Sequence, residues 1–158
     1  MKIELWQVSR TKGRYLQEGV KIYTDRLKHF CKLRIVDFKE EKASKNNSIK
    51  IVQNKESQQF IEKFTDKCCI VLLDEKGEHF SSRGFSNFIE KRKMDSYKTK
   101  TVFLIGGAYG FNDEIRKRAD TIISLSNMTF SHQMIRLFFV EQLYRAFTII
   151  NGHSYHND

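Results

Sequence analysis

The sequence predicts an α/β fold, a mostly parallel sheet covered by helices. Three observations carry that prediction. Strand-like and helix-like segments alternate in the order βαβαβαβαβα with short connections, the pattern of successive crossovers. The run Cys68–Leu73 is apolar at every position, which implies burial on both faces and so a parallel strand beneath helices. A second apolar run, Val102–Ile105, stops on Gly106 and Gly107 with a third glycine at Gly110. A buried strand that ends on glycines lets another group approach its backbone, because no Cβ intervenes. With 158 residues, the chain is the size of one domain, residues 1–158, and can bury a core without crosslinks.

The elements follow in order. Lys2–Val8 reads as the first strand, and Lys12-Gly13 turns the chain into a helix over 15–30. Its apolar positions Tyr15, Leu16, Val20, Tyr23, Leu27 and Phe30 fall at three- and four-residue intervals, one face of a helix. Cys31–Phe38 alternates Leu33 and Ile35 with Lys32 and Arg34, so the second strand has one wet face, as at a sheet edge. The stretch 39–48 is polar and reads as a solvated surface loop. A helix over 49–64 is expected to turn Ile49, Val52, Phe60, Ile61 and Phe64 inward. In the third strand, from Cys68, Asp74 closes the apolar run and Gly77 makes the turn. Ser81 or Ser82 caps the next helix, which buries Phe85, Phe88 and Ile89. Beyond the fourth strand, Val102–Ile105, Asn112 is the expected N-cap of a short helix with acidic residues in its first turn. Residues 121–126 form the fifth strand, and a long helix runs from near Ser131 to about Asn151. The chain has no proline, so the usual boundary signals are missing.

Lys and Arg total 28 against 19 Asp and Glu, a formal charge of +9. That balance favours an anionic partner, RNA or DNA first and an acidic membrane surface second. No uncharged apolar run is long enough to span a bilayer, and the opening MKIELWQVSR is too short and polar for a signal peptide. The three cysteines are odd in number. Cys68 and Cys69 are adjacent in a strand, where their side chains point to opposite faces and a bridge would be strained. A reduced, cytoplasmic protein is the expectation. No CxxC and no His/Cys cluster with zinc spacing occurs, so no metal is expected.

Two loops at the exits of parallel strands point to one shared crevice, since ligands bind at the carboxyl ends of such strands. GGAYG, Gly106–Gly110, is neither a dinucleotide nor a Walker motif, and taken alone it is as well explained by a tight structural turn. In LSNMTFSH, Leu125–His132, Ser131 or Thr129 serves as an N-cap, which leaves His132 in the first turn. The positive helix end disfavours charge on that imidazole. No Ser/His/Asp constellation and no obvious pair of catalytic carboxylates is present. The last helix is apolar nearly all round, so it is either a central core helix or covered in part by a second subunit. Glu141 and Arg145 stand four apart and can pair. Arg136 and Arg145 are the evident phosphate or base contacts, and the tail carries His153, Tyr155 and His156 for stacking and hydrogen bonding.

The segments LDEKG, FLIGGAYG and LSNMTFSHQMIRLFFVEQLYRAFTIINGHSYH, with the opening MKIELWQV, together resemble the ribosomal RNA large subunit methyltransferase H family. The resemblance covers essentially the whole chain and is most specific in its C-terminal third. It implies a SPOUT-class enzyme that methylates N3 of a pseudouridine in 23S rRNA, on the large subunit or the assembled ribosome. It further implies a C-terminal trefoil knot, S-adenosyl-L-methionine bound in a bent form, and a homodimer. By matching motif, Leu73, Gly106 and Leu125, Ser126, Asn127, Met128, Thr129 and Phe130 are expected to line the cofactor pocket, with Gly107 and Gly110 supporting the loop. His132, Arg136, Arg145, Tyr155 and His156 are expected to face RNA or the target base. Two departures bear on cofactor affinity. Ala108 stands where the family often has proline, and Ser131 stands where many members have proline before the histidine.

The implied chemistry suits the residues. N3 lies between two carbonyls and must lose its proton, to His132 or to water acting on an imide made more acidic by Arg145. The donor's sulfonium charge disappears on transfer, so a water-poor pocket built of backbone favours reaction. A non-catalytic RNA-binding or ribosome-assembly module on the same fold is the alternative, and it predicts RNA binding without cofactor. An enzyme acting on a small nucleotide would leave the +9 charge without a use.

Overall fold

A computed structural model describes residues 1–45 and 47–157 of the chain; of the loop predicted over 39–48, Asn46 lies outside the described residues. The predicted α/β class and element order hold. The elements are β1 (Lys2–Val8), α1 (Arg14–Leu27), β2 (Lys32–Phe38), α2 (Ile49–Ile61), β3 (Cys68–His79), α3 (Ser82–Met94), β4 (Lys100–Ile105), α4 (Asp113–Arg118), β5 (Thr121–Ser124) and α5 (Met134–Ile150). All strand pairings are parallel, in the order β2-β1-β4-β3-β5. β2, whose sequence alternates, is an edge strand.

The strand period of two divides the core. Ile3, Leu5, Cys69, Val71, Leu73, Phe103 and Ile105 join α1, α3 and α5 in one apolar cluster. Trp6, Val8, Cys68, Ile70, Leu72, Val102 and Leu104 join Phe60 and Ile61 of α2 and Ile115 of α4 in the other. Cys68 and Cys69 thus serve opposite faces, and all three cysteines are free and buried. α5 packs between α1 and α3. The α1 contact is close: a Cβ at Gly19 would stand 2.9 Å from Leu137 Cδ1. No helix among the described residues is long and apolar enough to cross a membrane.

Three expectations are corrected. Gly77 does not make a turn, and β3 does not close at Asp74. Leu73 and Glu78 both register with Ile123 of β5, so residues 74–77 loop out before pairing resumes. A Cβ at Gly77 would lie 2.5 Å from the Ile123 carbonyl carbon, so glycine is required there by backbone approach. Tyr15 and Ile49 are exposed rather than inward. Each stands in the first turn of its helix, where the apolar period runs on past the packed face. The helices predicted over 15–30 and 49–64 end earlier, at Leu27 and Ile61.

Candidate functional site

A cavity of about 810 Å³ opens at the carboxyl ends of β3, β4 and β5, the position expected of a ligand site in a parallel sheet. Its volume is that of a pocket for a nucleotide-sized ligand. Each wall has its own construction. Leu73 and residues 74–76 of the excursion form one side. The glycine loop forms the second, closed by a Gly107–Gly110 bridge in which Gly110 N donates to Gly107 O at 3.1 Å. Gly110 has φ +70, a conformation open to glycine at little cost. A Cβ at Gly106 would lie 3.1 Å from the Gly110 carbonyl carbon, so a side chain there has no room to spare.

The third wall is the loop from Ser124 to α5, held by its own hydroxyls. Ser124 Oγ donates to Ser126 O at 2.9 Å, and Ser126 Oγ accepts from Met128 N at 2.9 Å. Ser131 Oγ accepts from Met134 N at 3.1 Å, the capping role foreseen for it, whereas Thr129 Oγ1 donates to Glu75 Oε2 at 3.1 Å. Of the expected cofactor residues, Leu73, Gly106, Gly107, Gly110, Leu125, Ser126, Met128, Thr129 and Phe130 line this one cavity. Asn127 sits exposed in the same loop and is not part of the lining. His132 lines the cavity too. Burial, then the nearby Arg136 charge, lowers its pKa, so the imidazole is neutral at pH 7 and able to accept a proton.

Arg136 is a correction. Expected to face RNA, it is fully buried. Its guanidinium donates to His132 O at 2.9 Å, Val8 O at 2.6 Å, Ser9 O at 3.1 Å and Thr11 Oγ1 at 3.2 Å. Burial brings its pKa down to about 10, which leaves it charged at neutral pH. It ties the exit of β1, where Ser9 adopts φ 60, to the residue that carries the candidate base.

Arg145, Tyr155 and His156 form a second group. Arg145 Nη2 donates to Glu141 Oε1 at 2.5 Å, Arg145 Nη1 and His156 Nδ1 are 3.2 Å apart, and the guanidinium lies 4.8 Å over the Tyr155 ring. Tyr155 Oη donates to Glu141 Oε1 at 2.9 Å and meets Tyr23 Oη at 3.2 Å. Burial and the Tyr23 and Glu141 hydrogen bonds push the phenol pKa upward. None of the three lines the cavity, and Arg145 stands eleven residues beyond Met134, roughly 16 Å along the helix axis.

Sequence reasoning missed the contribution of α2. Gln53 Nε2 donates to Tyr109 O at 2.5 Å and Ser57 Oγ accepts from Asn112 N at 3.2 Å, pinning the C-terminal side of the glycine loop. Between them Glu56 is 3% exposed. Its Oε1 accepts from Glu41 N at 3.1 Å, its Oε2 has no partner among the described residues, and burial raises its pKa. A Cβ at Gly107 would stand 2.5 Å from that oxygen. The signal was present: Val52, Glu56 and Phe60 repeat at four-residue intervals, which puts a carboxylate on the apolar stripe. Asp74 and Arg116, an ion pair at 2.8 Å on the cavity wall, were missed as well.

The family described as "Predicted SPOUT methyltransferase" matches residues 1–156. Proteins named Ribosomal RNA large subunit methyltransferase H are similar along their whole length. The one from Cytophaga hutchinsonii is 45% identical over 99% of this chain and 100% of its own. That from Christiangramia forsetii is 45% identical over 99% of each, and that from Parabacteroides distasonis 42% over 100% of each. A solved structure of a Legionella pneumophila protein described as a "putative methyltransferase", with SAM bound, is 15% identical over 92% of this chain and 66% of its own at TM-score 0.49.

Proposed function

This chain belongs to the SPOUT methyltransferase family, and on that premise we propose that it transfers a methyl group from S-adenosylmethionine to N3 of a pseudouridine in 23S rRNA, on the large subunit or the ribosome. The observation that carries the reading is the cavity at the ends of β3, β4 and β5, walled by the glycine loop and by the loop into α5. Its fit to the cofactor rests on size, on buried Gly106 and Gly107 that present backbone in place of side chains, and on carboxylates available to a cationic ligand.

When bound, S-adenosylmethionine supplies an electrophilic methyl group on a sulfonium. The chain's own residues do the rest. Gly106 and the run Leu125–Phe130 hold the donor, with Gly107 and Gly110 shaping the loop. His132, neutral through burial and the Arg136 charge, accepts the N3 proton of the target base. Arg145, Tyr155 and His156 bind the RNA and orient that base, and the Arg145 charge makes the imide more acidic.

The reading includes a homodimer, a trefoil knot, a single domain over 1–158 and a cytoplasmic location with the ribosome. Two features support the dimer. The His132 cavity and the Arg145 group are separated along α5, and a partner's tail supplies to each cavity what its own chain holds elsewhere. Phe138 of α5 and Tyr15 and Ile22 of α1 are large apolar residues left exposed, a surface suited to a second copy.

The test is methyl transfer from isotopically labelled S-adenosylmethionine to ribosomes that carry either pseudouridine or uridine at the target. Label at N3 of pseudouridine alone is expected. Label on both, label on another atom, or RNA binding without transfer would overturn the assignment.

A further inference from the structure

The cavity wall carries one ion pair that the reaction outlined above does not use. Arg116 Nη2 lies 2.8 Å from Asp74 Oδ2, with side chains 23% and 7% exposed, and both residues line the cavity. Their placement is specific. Asp74 begins the excursion in which β3 leaves its register with β5, and its Oδ1 accepts from Lys76 N at 3.0 Å, which fixes the carboxylate. Arg116 follows the glycine loop on α4. Its neighbours Lys117 and Arg118 are exposed, and Arg118 pairs with Glu114 along the helix. Arg116 alone of these three lines the cavity.

We propose that Arg116 and Asp74 recognise the amino-acid end of the methyl donor, Arg116 taking its carboxylate and Asp74 its ammonium. The proposal rests on the reading of this cavity as the S-adenosylmethionine site. A guanidinium has five N–H donors and a carboxylate about four lone-pair sites, so neither is exhausted by the other. A ligand end with both charges on one carbon sets anion against Arg116 and cation against Asp74, and the existing pair stays intact. Charge-assisted hydrogen bonds of this kind are the strong ones, more so in a site partly withdrawn from water. An aliphatic or purely cationic ligand end would satisfy only part of that arrangement. The pair thus selects a zwitterion, while the glycine loop and the Leu125–Phe130 run are left for the adenosine.

Two neutral thioethers separate these contributions. S-adenosylhomocysteine and 5′-methylthioadenosine share the adenosine and the sulfur, and only the former has the amino-acid end. Calorimetric affinities of both are measured on the wild-type chain and on Arg116→Gln and Asp74→Asn. The expected result is that each substitution weakens S-adenosylhomocysteine by about 10- to 100-fold, the scale of a hydrogen bond to a charged group, and leaves 5′-methylthioadenosine within about twofold. Retained 5′-methylthioadenosine binding also shows that the variant's cavity is intact. Equal losses for both ligands would make the pair structural, and no loss for either would make it idle; each result overturns the proposal. If the wild-type chain binds neither thioether, the cofactor reading of the cavity fails with it.

Discussion

Gly107 and Glu56 show how a single residue type is dictated from behind the site. The carboxylate oxygen that would meet a Gly107 Cβ at 2.5 Å is itself buried and unpartnered among the described residues. Gly107→Ala is therefore expected to destabilise by about 1–3 kcal/mol through overpacking, and Glu56→Ala in the same chain to recover part of that loss. A double-mutant cycle on thermal unfolding reads the coupling, and strict additivity would contradict it. The Glu56 pKa is raised by burial, so the folded state holds its proton more tightly than the unfolded chain. Stability then declines as pH rises above the ordinary carboxyl value, and Glu56→Gln is expected to flatten that decline in a plot of Tm against pH. Arg136→Lys is expected to cost about 2–4 kcal/mol, because one ammonium cannot serve four acceptors spread over β1, its exit loop and His132. At that residue the sequence misled: arginine on a basic chain reads as an RNA contact, and nothing local announces that a β1 exit will fold over it. His132 was legible as a neutral imidazole, since a helix start disfavours its charge; the burial that acts in the same direction was not legible. Its lowered pKa places the acid limb of kcat/KM below the usual histidine value, and His132→Ala is expected to remove that limb and about 10²–10⁴ of the rate. A limb that survives the substitution would assign the proton to water or to another group.

Among the elements, strands were the most legible. Cys68–Leu73 and Val102–Ile105 are apolar without interruption, and both are central strands filled on two faces. β2 alternates and lies at the edge. The excursion at 74–77 was not legible, because Gly77 reads as a turn until β5 is known to pass beside it. Gly77→Ala is accordingly expected to disrupt β3–β5 pairing even though no positive φ is required there, and amide exchange of Ile123 and Ser124 should accelerate. The helix α2 was read for its apolar stripe alone. Its second task, holding the glycine loop through Gln53 and Ser57, depends on a loop some fifty residues away in sequence. Helical periodicity identifies a buried face but never what lies against it.

For the molecule as a whole, the +9 charge and the separation of the two residue groups along α5 bear on assembly. If a partner's tail completes each cavity, Gly106→Val and His156→Ala chains, each inactive alone, regain transfer when mixed, because one of the two sites in a mixed dimer is intact. Absence of recovery in a verified mixed dimer would contradict the shared site. The fold class and the cavity's location follow from the order of elements and from where parallel strands end. The dimer does not follow in the same way, since an all-round apolar helix is explained equally by a central core position. In α5, Phe139 and Val140 are fully buried and Phe138 is 39% exposed. Whether the cavity behind Gly106 holds the methyl donor is read by calorimetry of S-adenosylmethionine on wild type and Gly106→Val. Micromolar-scale binding by the wild type, about −8 kcal/mol, is expected, and none by a variant whose new side chain begins 3.1 Å from the Gly110 backbone. Unchanged binding by a folded Gly106→Val chain would place the donor elsewhere and contradict that expectation.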